Sequence, residues 1–170
     1  MSERNNAGGK GPFVISRTYD VPRDVMWKLW TDCEHLKHWW GPKGLTIGTC
    51  KMDLRVGGTF LYSMIAPDGT EMWGKWVFRA IDAPHSMTVL VSFSDKNAGI
   101  TRHPMAPTWP LQNLSTMTME EKDGKTTITV RWTAHDATQE EQDTFDAGHD
   151  SMRMGFTGTF DQLAAYIESI

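Results

Sequence analysis

The sequence lacks several features that would assign a protein to a class at once. Its 170 residues include only two cysteines, Cys33 and Cys50, which form no CxxC pattern. This predicts reduced thiols in a cytoplasmic protein whose fold does not depend on a disulfide. No run approaches the ~20 consecutive apolar residues of a membrane-spanning helix. The N-terminal residues also lack the apolar segment of a secretory signal. We therefore expect a cytoplasmic protein with no membrane span.

An excess of positive charge is also absent. Lysine and arginine total 17 against 21 aspartates and glutamates, for a formal net charge of −4 at pH 7. Nucleic-acid-binding proteins usually carry a basic face, so no nucleic-acid partner is expected. There is no nucleophile elbow, phosphate-binding loop or dinucleotide fingerprint. The glycine-rich stretch at residues 8–11 does not count as a phosphate-binding motif, because it precedes the first predicted strand. We therefore expect no cofactor.

Large, adaptable side chains are abundant instead. The chain has 8 tryptophans and 11 methionines, residue types that either fill a core or line a cavity. Hydrophobic residues make up 39% and charged residues 22%, the balance of a globular protein. The length suits one domain. The polar, glycine-rich residues 1–11 predict a flexible tail, and residues 12–170 predict a single domain.

Apolar periodicity predicts a mixed α and β chain. Alternation from Phe13 to Tyr19 predicts a first strand, and Pro22 suits the start of the helix that follows. A second short helix is predicted over residues 35–39. From residue 45 to residue 135 the pattern predicts strand after strand, with Asp123-Gly124 as a strong hairpin signal.

A proline-rich stretch and a long helix complete the predicted elements. Three prolines between residues 104 and 110 exclude a central strand, and Met105 and Trp109 favour docking of this loop onto the domain. Thr138 and Glu141 fit a capping box that opens the last helix. That helix contains three glycines, which predict close approach to the sheet, a break, or room for a bound molecule: Gly148, Gly155 and Gly158.

The order of these elements, together with four motifs, resembles the START-like (SRPBCC) helix-grip superfamily, also described with polyketide cyclases. Within it, the chain is similar to the branch named after the C-terminal domain of the activator of Hsp90 ATPase (AHSA1-like). The motifs are residues 19–27, residues 39–42, residues 53–58 with Asp68-Gly69, and Gly155-Phe156 with residues 163–166. The resemblance covers roughly residues 12–168. It implies an α+β fold in which a curved antiparallel sheet of about six to seven strands wraps around the long C-terminal helix, with two short helices after strand one.

The resemblance also implies an apolar cavity between sheet and helix. His149, a titratable group on an apolar helix face, is the first candidate for orienting a ligand or moving a proton. Its alternative is a core histidine bonded to backbone. Arg17 is the second candidate, against a paired arginine at the sheet edge. The predicted ligand-binding residues are Arg17, Trp40, Trp76, Phe78, Phe93, Trp109, Met117, Phe145, His149, Met152 and Phe156.

No metal site is predicted, because Cys33, His35 and His38 cannot share one helix face. Catalytic residues remain unassigned. The function expected first is binding of a small hydrophobic or amphipathic molecule. The alternatives are a polyketide cyclase or dehydratase-like enzyme using the same cavity, and an Hsp90-linked co-chaperone or interaction module. An Hsp90-type partner rests on family analogy alone. The sequence leaves open the ligand's identity and whether the chain forms a homodimer.

Overall fold

A curved antiparallel sheet packed against a long C-terminal helix forms the fold, and a computed structural model describes residues 10–170. The strands are β1 (Phe13–Tyr19), β2 (Thr46–Met52), β3 (Thr59–Ile65), β4 (Glu71–Asp82), β5 (Ser86–Ser94), β6 (Ile100–Thr101), β7 (Gln112–Lys122) and β8 (Lys125–His135). The helices are α1 (Arg23–Thr31), α2 (Cys33–Trp39), α3 (Gln139–Ala147) and α4 (His149–Ser169). The predicted α+β helix-grip fold is confirmed. Most of the predicted tail, residues 1–9, lies outside the described residues.

The sheet runs in the order β1-β8-β7-β5-β4-β3-β2, and short β6 pairs with β5. Its tightest turn is the predicted hairpin between β7 and β8. Asp123 and Gly124 have φ values of 55° and 78°, and Lys122 pairs with Lys125 across them. Two left-handed residues in succession match the right-handed twist of the flanking strands, which is why Asp-Gly occurs there. The hairpin prediction is confirmed.

The core lies between the sheet and the helices, and tryptophans of α1 and α2 fill one end of it. Trp39 is 1% exposed, and its indole Nε1 donates to the Leu29 carbonyl at 3.0 Å. The Trp30 and Trp39 rings meet edge to face, with centroids 4.9 Å apart. Such contacts stabilise beyond area burial alone. The two short helices are thereby joined into one unit under the sheet.

The predicted last helix is broken into α3 and α4 at Gly148. A Cβ atom at Gly148 would lie 2.9 Å from Cζ3 of Trp109, so the glycine makes room for the long loop. The Trp109 ring packs at 5.6 Å from the ring of Phe145. Docking of this loop is confirmed at Trp109 but is wrong for Met105, which is 88% exposed. The capping box between Thr138 and Glu141 is confirmed.

Cys33 and Cys50 form a disulfide, with Cα atoms 5.9 Å apart. The expectation of two reduced thiols is therefore wrong. The two residues meet because α2 packs against β2, a tertiary contact that their separation of 17 residues does not reveal. No helix in the described residues is both long and apolar enough to cross a bilayer.

Candidate ligand-binding site

A cavity of about 330 Å³ separates the sheet from α4. Helix α4 contributes residues at spacings of three and four, so one helical face forms that side of the cavity. These residues are Met152, Gly155, Phe156 and Thr159. The sheet and the segment after α2 supply the other lining residues: Trp40, Gly41, Pro42, Tyr62, Met64, Trp76, Met87, Val89, Val91, Phe93, Ser115, Met117, Val130 and Trp132, with Trp30 from α1. The walls are mostly aromatic and aliphatic.

A second cavity, of about 490 Å³, adjoins the first on the side of the long loop. The loop contributes His103 and Trp109 to its wall, and α3 contributes Thr144 and Ala147. The two cavities share six lining residues, so they form neighbouring compartments: Tyr62, Met64, Val91, Phe93, Trp132 and Met152. The shared residues place the two compartments side by side between the sheet and α4.

The linings hold very little charge. Among the described residues that line the two cavities, none is an aspartate, glutamate, lysine or arginine. Burial raises the pKa of Tyr62 to about 12 and lowers the pKa of His103. Both side chains are therefore mainly uncharged near pH 7. The site can hold apolar surface and neutral hydrogen-bonding groups, and it offers no counter-ion for a charged group.

Seven of the eleven predicted site residues line these cavities. Trp40, Trp76, Phe93, Met117, Met152 and Phe156 line the first, and Trp109 lines the second. Phe93 and Met152 belong to both. The structure thus brings together residues that are up to 116 positions apart in the sequence, from Trp40 to Phe156.

The prediction is wrong for the other four residues, which line neither cavity. Phe78 and Phe145 are completely packed in the core. Arg17 pairs at 2.7 Å with Asp161 of α4, so it is a paired arginine on the edge strand β1. His149 is 1% exposed, and its Nε2 donates to the Gly11 carbonyl at 2.9 Å, between the rings of Phe13 and Phe145. His149 is therefore a core histidine bonded to backbone, which was the alternative to a ligand-orienting role.

Several lining residues were missing from the predicted set. Trp132 follows Val130 at the inward-facing positions of β8 and lies opposite Ser115 of β7. The same alternation would have found it. Ser115 and Asn113 share a face with Met117, but the prediction took only the apolar residues of that face. His103 could not be placed from the sequence, because its loop is positioned by tertiary contacts.

One such contact joins the long loop to α3. Arg102 Nη1 donates to Glu141 Oε2 at 2.7 Å, and the Thr138 backbone N–H donates to Glu141 Oε1 at 3.0 Å. The Thr138 backbone and the Arg102 guanidinium together hold the pKa of the Glu141 carboxyl below its usual value. The carboxylate therefore ties the loop that carries His103 to the start of α3.

Replacing Glu141 with glutamine tests this tie as a function of pH. A lowered pKa in the folded state stabilises the fold above the pKa of the unfolded chain, and the stabilisation is lost as pH falls through the folded value. We expect Glu141→Gln to lower the free energy of unfolding by up to about 1 kcal/mol at pH 7. The difference should shrink below about pH 4.3, the ordinary pKa of glutamate. Urea unfolding of both proteins from pH 7 to pH 3 measures it; a difference independent of pH would contradict the ion pair.

Comparison with solved structures agrees with this architecture. A crystal structure of a protein from Mycobacterium smegmatis is 27% identical, covers 91% of this chain and 88% of its own, and has a TM-score of 0.71. A solution structure from Arthrobacter aurescens is 26% identical, covers 94% and 87%, and has a TM-score of 0.76. The AHSA1 protein of Silicibacter pomeroyi, 18% identical over 92% and 97% with a TM-score of 0.69, shares the fold. No curated protein matches the chain.

The family match covers most of the chain. The model of the family described as Activator of Hsp90 ATPase homolog 1-like protein matches residues 20–168, from the end of β1 almost to the end of α4. That range contains α1, α2, the sheet from β2 to β8 and the cavities between sheet and helix. The chain therefore belongs to the AHSA1-like family, within the START-like helix-grip superfamily.

Proposed function

We propose that this protein binds a small hydrophobic or amphipathic molecule in the adjoining cavities between the sheet and α4. The observation that carries the proposal is an apolar space of about 330 Å³ next to one of about 490 Å³. Ligand sites for small molecules commonly enclose about 300–1,000 Å³ and are lined by hydrophobic and aromatic side chains with few polar groups. Both compartments have that size and that kind of lining.

Affinity would come mainly from burial of the ligand's apolar surface, at about 25 cal/mol per Å². Aromatic walls add edge-to-face contacts: Trp40, for example, meets Trp76 at 5.3 Å and Tyr62 at 5.8 Å between ring centroids. A planar or ring-containing molecule can make the same contacts with this wall. The proposal therefore favours aromatic or polycyclic ligands over extended polar ones.

Tryptophan fluorescence provides a direct test, because six tryptophans line the cavities: Trp30, Trp40, Trp73, Trp76, Trp109 and Trp132. The full chain is titrated with a panel of aromatic polyketides, sterols and fatty acids. We expect a saturable change for at least one aromatic or polycyclic compound. Absence of any saturable response across the panel would contradict the proposed function.

A matched pair of glycine variants locates the bound molecule. Gly155 and Gly158 both lie within α4, and an added Cβ meets no atom within 4 Å at either position, but only Gly155 lines the cavity. Gly155→Leu should weaken binding by about tenfold or more, since a steric penalty of 1.4 kcal/mol already has that effect. Gly158→Leu should bind like the unmodified protein.

Stability serves as the internal control for this pair. Each substitution removes a glycine from a helix interior, which favours the helix by about 1 kcal/mol. Both variants should therefore unfold at the same or a higher urea concentration, so weaker binding by Gly155→Leu alone cannot reflect unfolding. Equal affinity of the two variants, measured by the same fluorescence titration, would place the ligand elsewhere.

A further inference from the structure

The polarity of the cavity wall changes in one direction along β7. Its inward-facing residues are Asn113, Ser115, Met117 and Met119, every second residue of the strand, and all four are buried. Asn113 lines the second cavity, whereas Ser115 and Met117 line the first and Met119 lies in the core. The inward face of β7 therefore changes from polar at Asn113, beside the long loop, to apolar at Met119, in the core.

Asn113 carries an unusual buried group. The residue is 3% exposed, and its Oδ1 atom has no hydrogen-bond partner among the described residues. Buried amide oxygens are nearly always hydrogen-bonded, because an unpaired one loses its hydration without compensation. Since Asn113 lines the second cavity, a donor on a bound molecule would supply the missing bond. Rotation of the amide would present its N–H₂ group instead.

His103 adds a donor to the same compartment. The Met105 backbone N–H donates to His103 Nδ1 at 3.0 Å, so Nδ1 is the acceptor and the proton of the neutral ring is on Nε2. The ring of His103 lies against that of Phe93, which belongs to both cavities, with centroids 4.7 Å apart and planes tilted by 53°. The second cavity thus has an acceptor on Asn113 and a donor on His103. A hydroxyl group, which donates and accepts, matches both.

The absence of charge limits what the polar end can be. No acidic, lysine or arginine side chain lines either cavity among the described residues. A carboxylate or an ammonium group placed there would be removed from water without a counter-ion, which is strongly unfavourable. Burial also lowers the pKa of His103, which keeps its imidazole neutral near pH 7. Charged amphiphiles such as fatty-acid anions are therefore poor ligands for this compartment.

We infer, building on the proposed function, that the bound molecule is an uncharged hydroxylated amphiphile with a defined orientation. Its hydroxyl-bearing end lies in the second cavity, against Asn113 and His103, and its apolar end lies in the first, against Met117. The ligand class is thereby narrowed from hydrophobic molecules in general to neutral alcohols and phenols. Fatty-acid anions should bind more weakly than these neutral compounds.

Three compounds that share one ring system test the inference by isothermal titration calorimetry: 2-naphthol, 2-methylnaphthalene and 2-naphthoate. We expect 2-naphthol to bind about tenfold more tightly than 2-methylnaphthalene, the effect of one good hydrogen bond, and 2-naphthoate to bind most weakly. Equal affinities, or tightest binding of 2-naphthoate, would overturn the inference and leave the proposed function standing. No binding of any of the three would overturn both.

Variants of β7 assign the preference to Asn113. Asn113→Leu keeps a similar volume but removes the amide, so the preference for 2-naphthol over 2-methylnaphthalene should disappear. Binding of 2-methylnaphthalene by the variant shows that its cavity is intact. Thr116→Val changes a residue on the opposite face of the same strand and should keep the preference. An unchanged preference in Asn113→Leu would overturn the assignment. The His103→Phe variant repeats the test by removing the Nε2–H donor, and it should also reduce the preference for 2-naphthol.

Discussion

Trp39→Ala is expected to lower the free energy of unfolding by about 3–5 kcal/mol, the usual cost of removing a large buried aromatic side chain. The Trp39 ring is almost completely buried between Trp30 and Trp40, with centroid distances of 4.9 and 5.5 Å. Truncation leaves a void between α1 and α2 and removes the hydrogen bond to the Leu29 carbonyl. Urea unfolding followed by circular dichroism measures the loss.

The neighbouring tryptophan is the matched control. Trp40 is only partly buried and lines the first cavity, whereas Trp39 is enclosed by core residues. Trp40→Ala enlarges a space that already exists, so its loss of stability should be clearly smaller. Its effect should fall instead on the affinity for aromatic ligands. Equal losses of stability at the two positions would show that Trp40 is an ordinary core residue and not a cavity wall.

Local sequence patterns were sufficient to predict most of the fold. The Asp123-Gly124 turn and the capping box at Thr138 and Glu141 are set by residues within a few positions of each other. Alternation along β7 and β8 separates inward from outward positions, because side-chain direction in a strand has a period of two. These features depend on neighbouring residues alone. The family resemblance then supplied the arrangement of these elements, a curved antiparallel sheet wrapped around the C-terminal helix.

Periodicity could not distinguish a packed face from an open one. Phe145 and Phe156 fall on the same apolar stripe, yet Phe145 is covered by Trp109 of the long loop and Phe156 lines the cavity. The difference arises from the break at Gly148 and from where the loop docks, both of which are tertiary features. The same limit applies to His149, whose partner, the Gly11 carbonyl, lies 138 residues away. A titratable residue on an apolar stripe is therefore weak support for a site.

Polar residues within apolar strand faces are the more informative signal. Asn113 interrupts the otherwise largely apolar inward face of β7, and it lies at a cavity wall with an unpaired oxygen. Glycines at the break between α3 and α4 and within α4 are a second indicator of a site, because Gly148 and Gly155 each leave space that a larger side chain would occupy. These departures from core-forming residues add to the apolar pattern, which by itself placed seven of the eleven predicted site residues at the cavities.

Reduction of the disulfide between Cys33 and Cys50 is expected to lower the free energy of unfolding by about 3 kcal/mol. The bond closes a loop with a sequence separation of 17 residues, and the chain-entropy estimate for a loop of that length is about 3 kcal/mol. The loop includes α2 and residues 40–42, which line the first cavity. Urea unfolding with and without dithiothreitol measures the change.

The double variant Cys33→Ser/Cys50→Ser separates loss of the covalent bond from other effects of the reductant. It should unfold at the lower urea concentration of the reduced protein and show no further response to dithiothreitol. Because β2 is the edge strand that holds the end of α2, its release should also loosen Trp40 and Pro42 and so weaken the binding of aromatic ligands. A stability unaffected by dithiothreitol in the unmodified chain would show that the two sulfurs are not joined, and the 17-residue loop would then be held by packing of α2 against β2 alone.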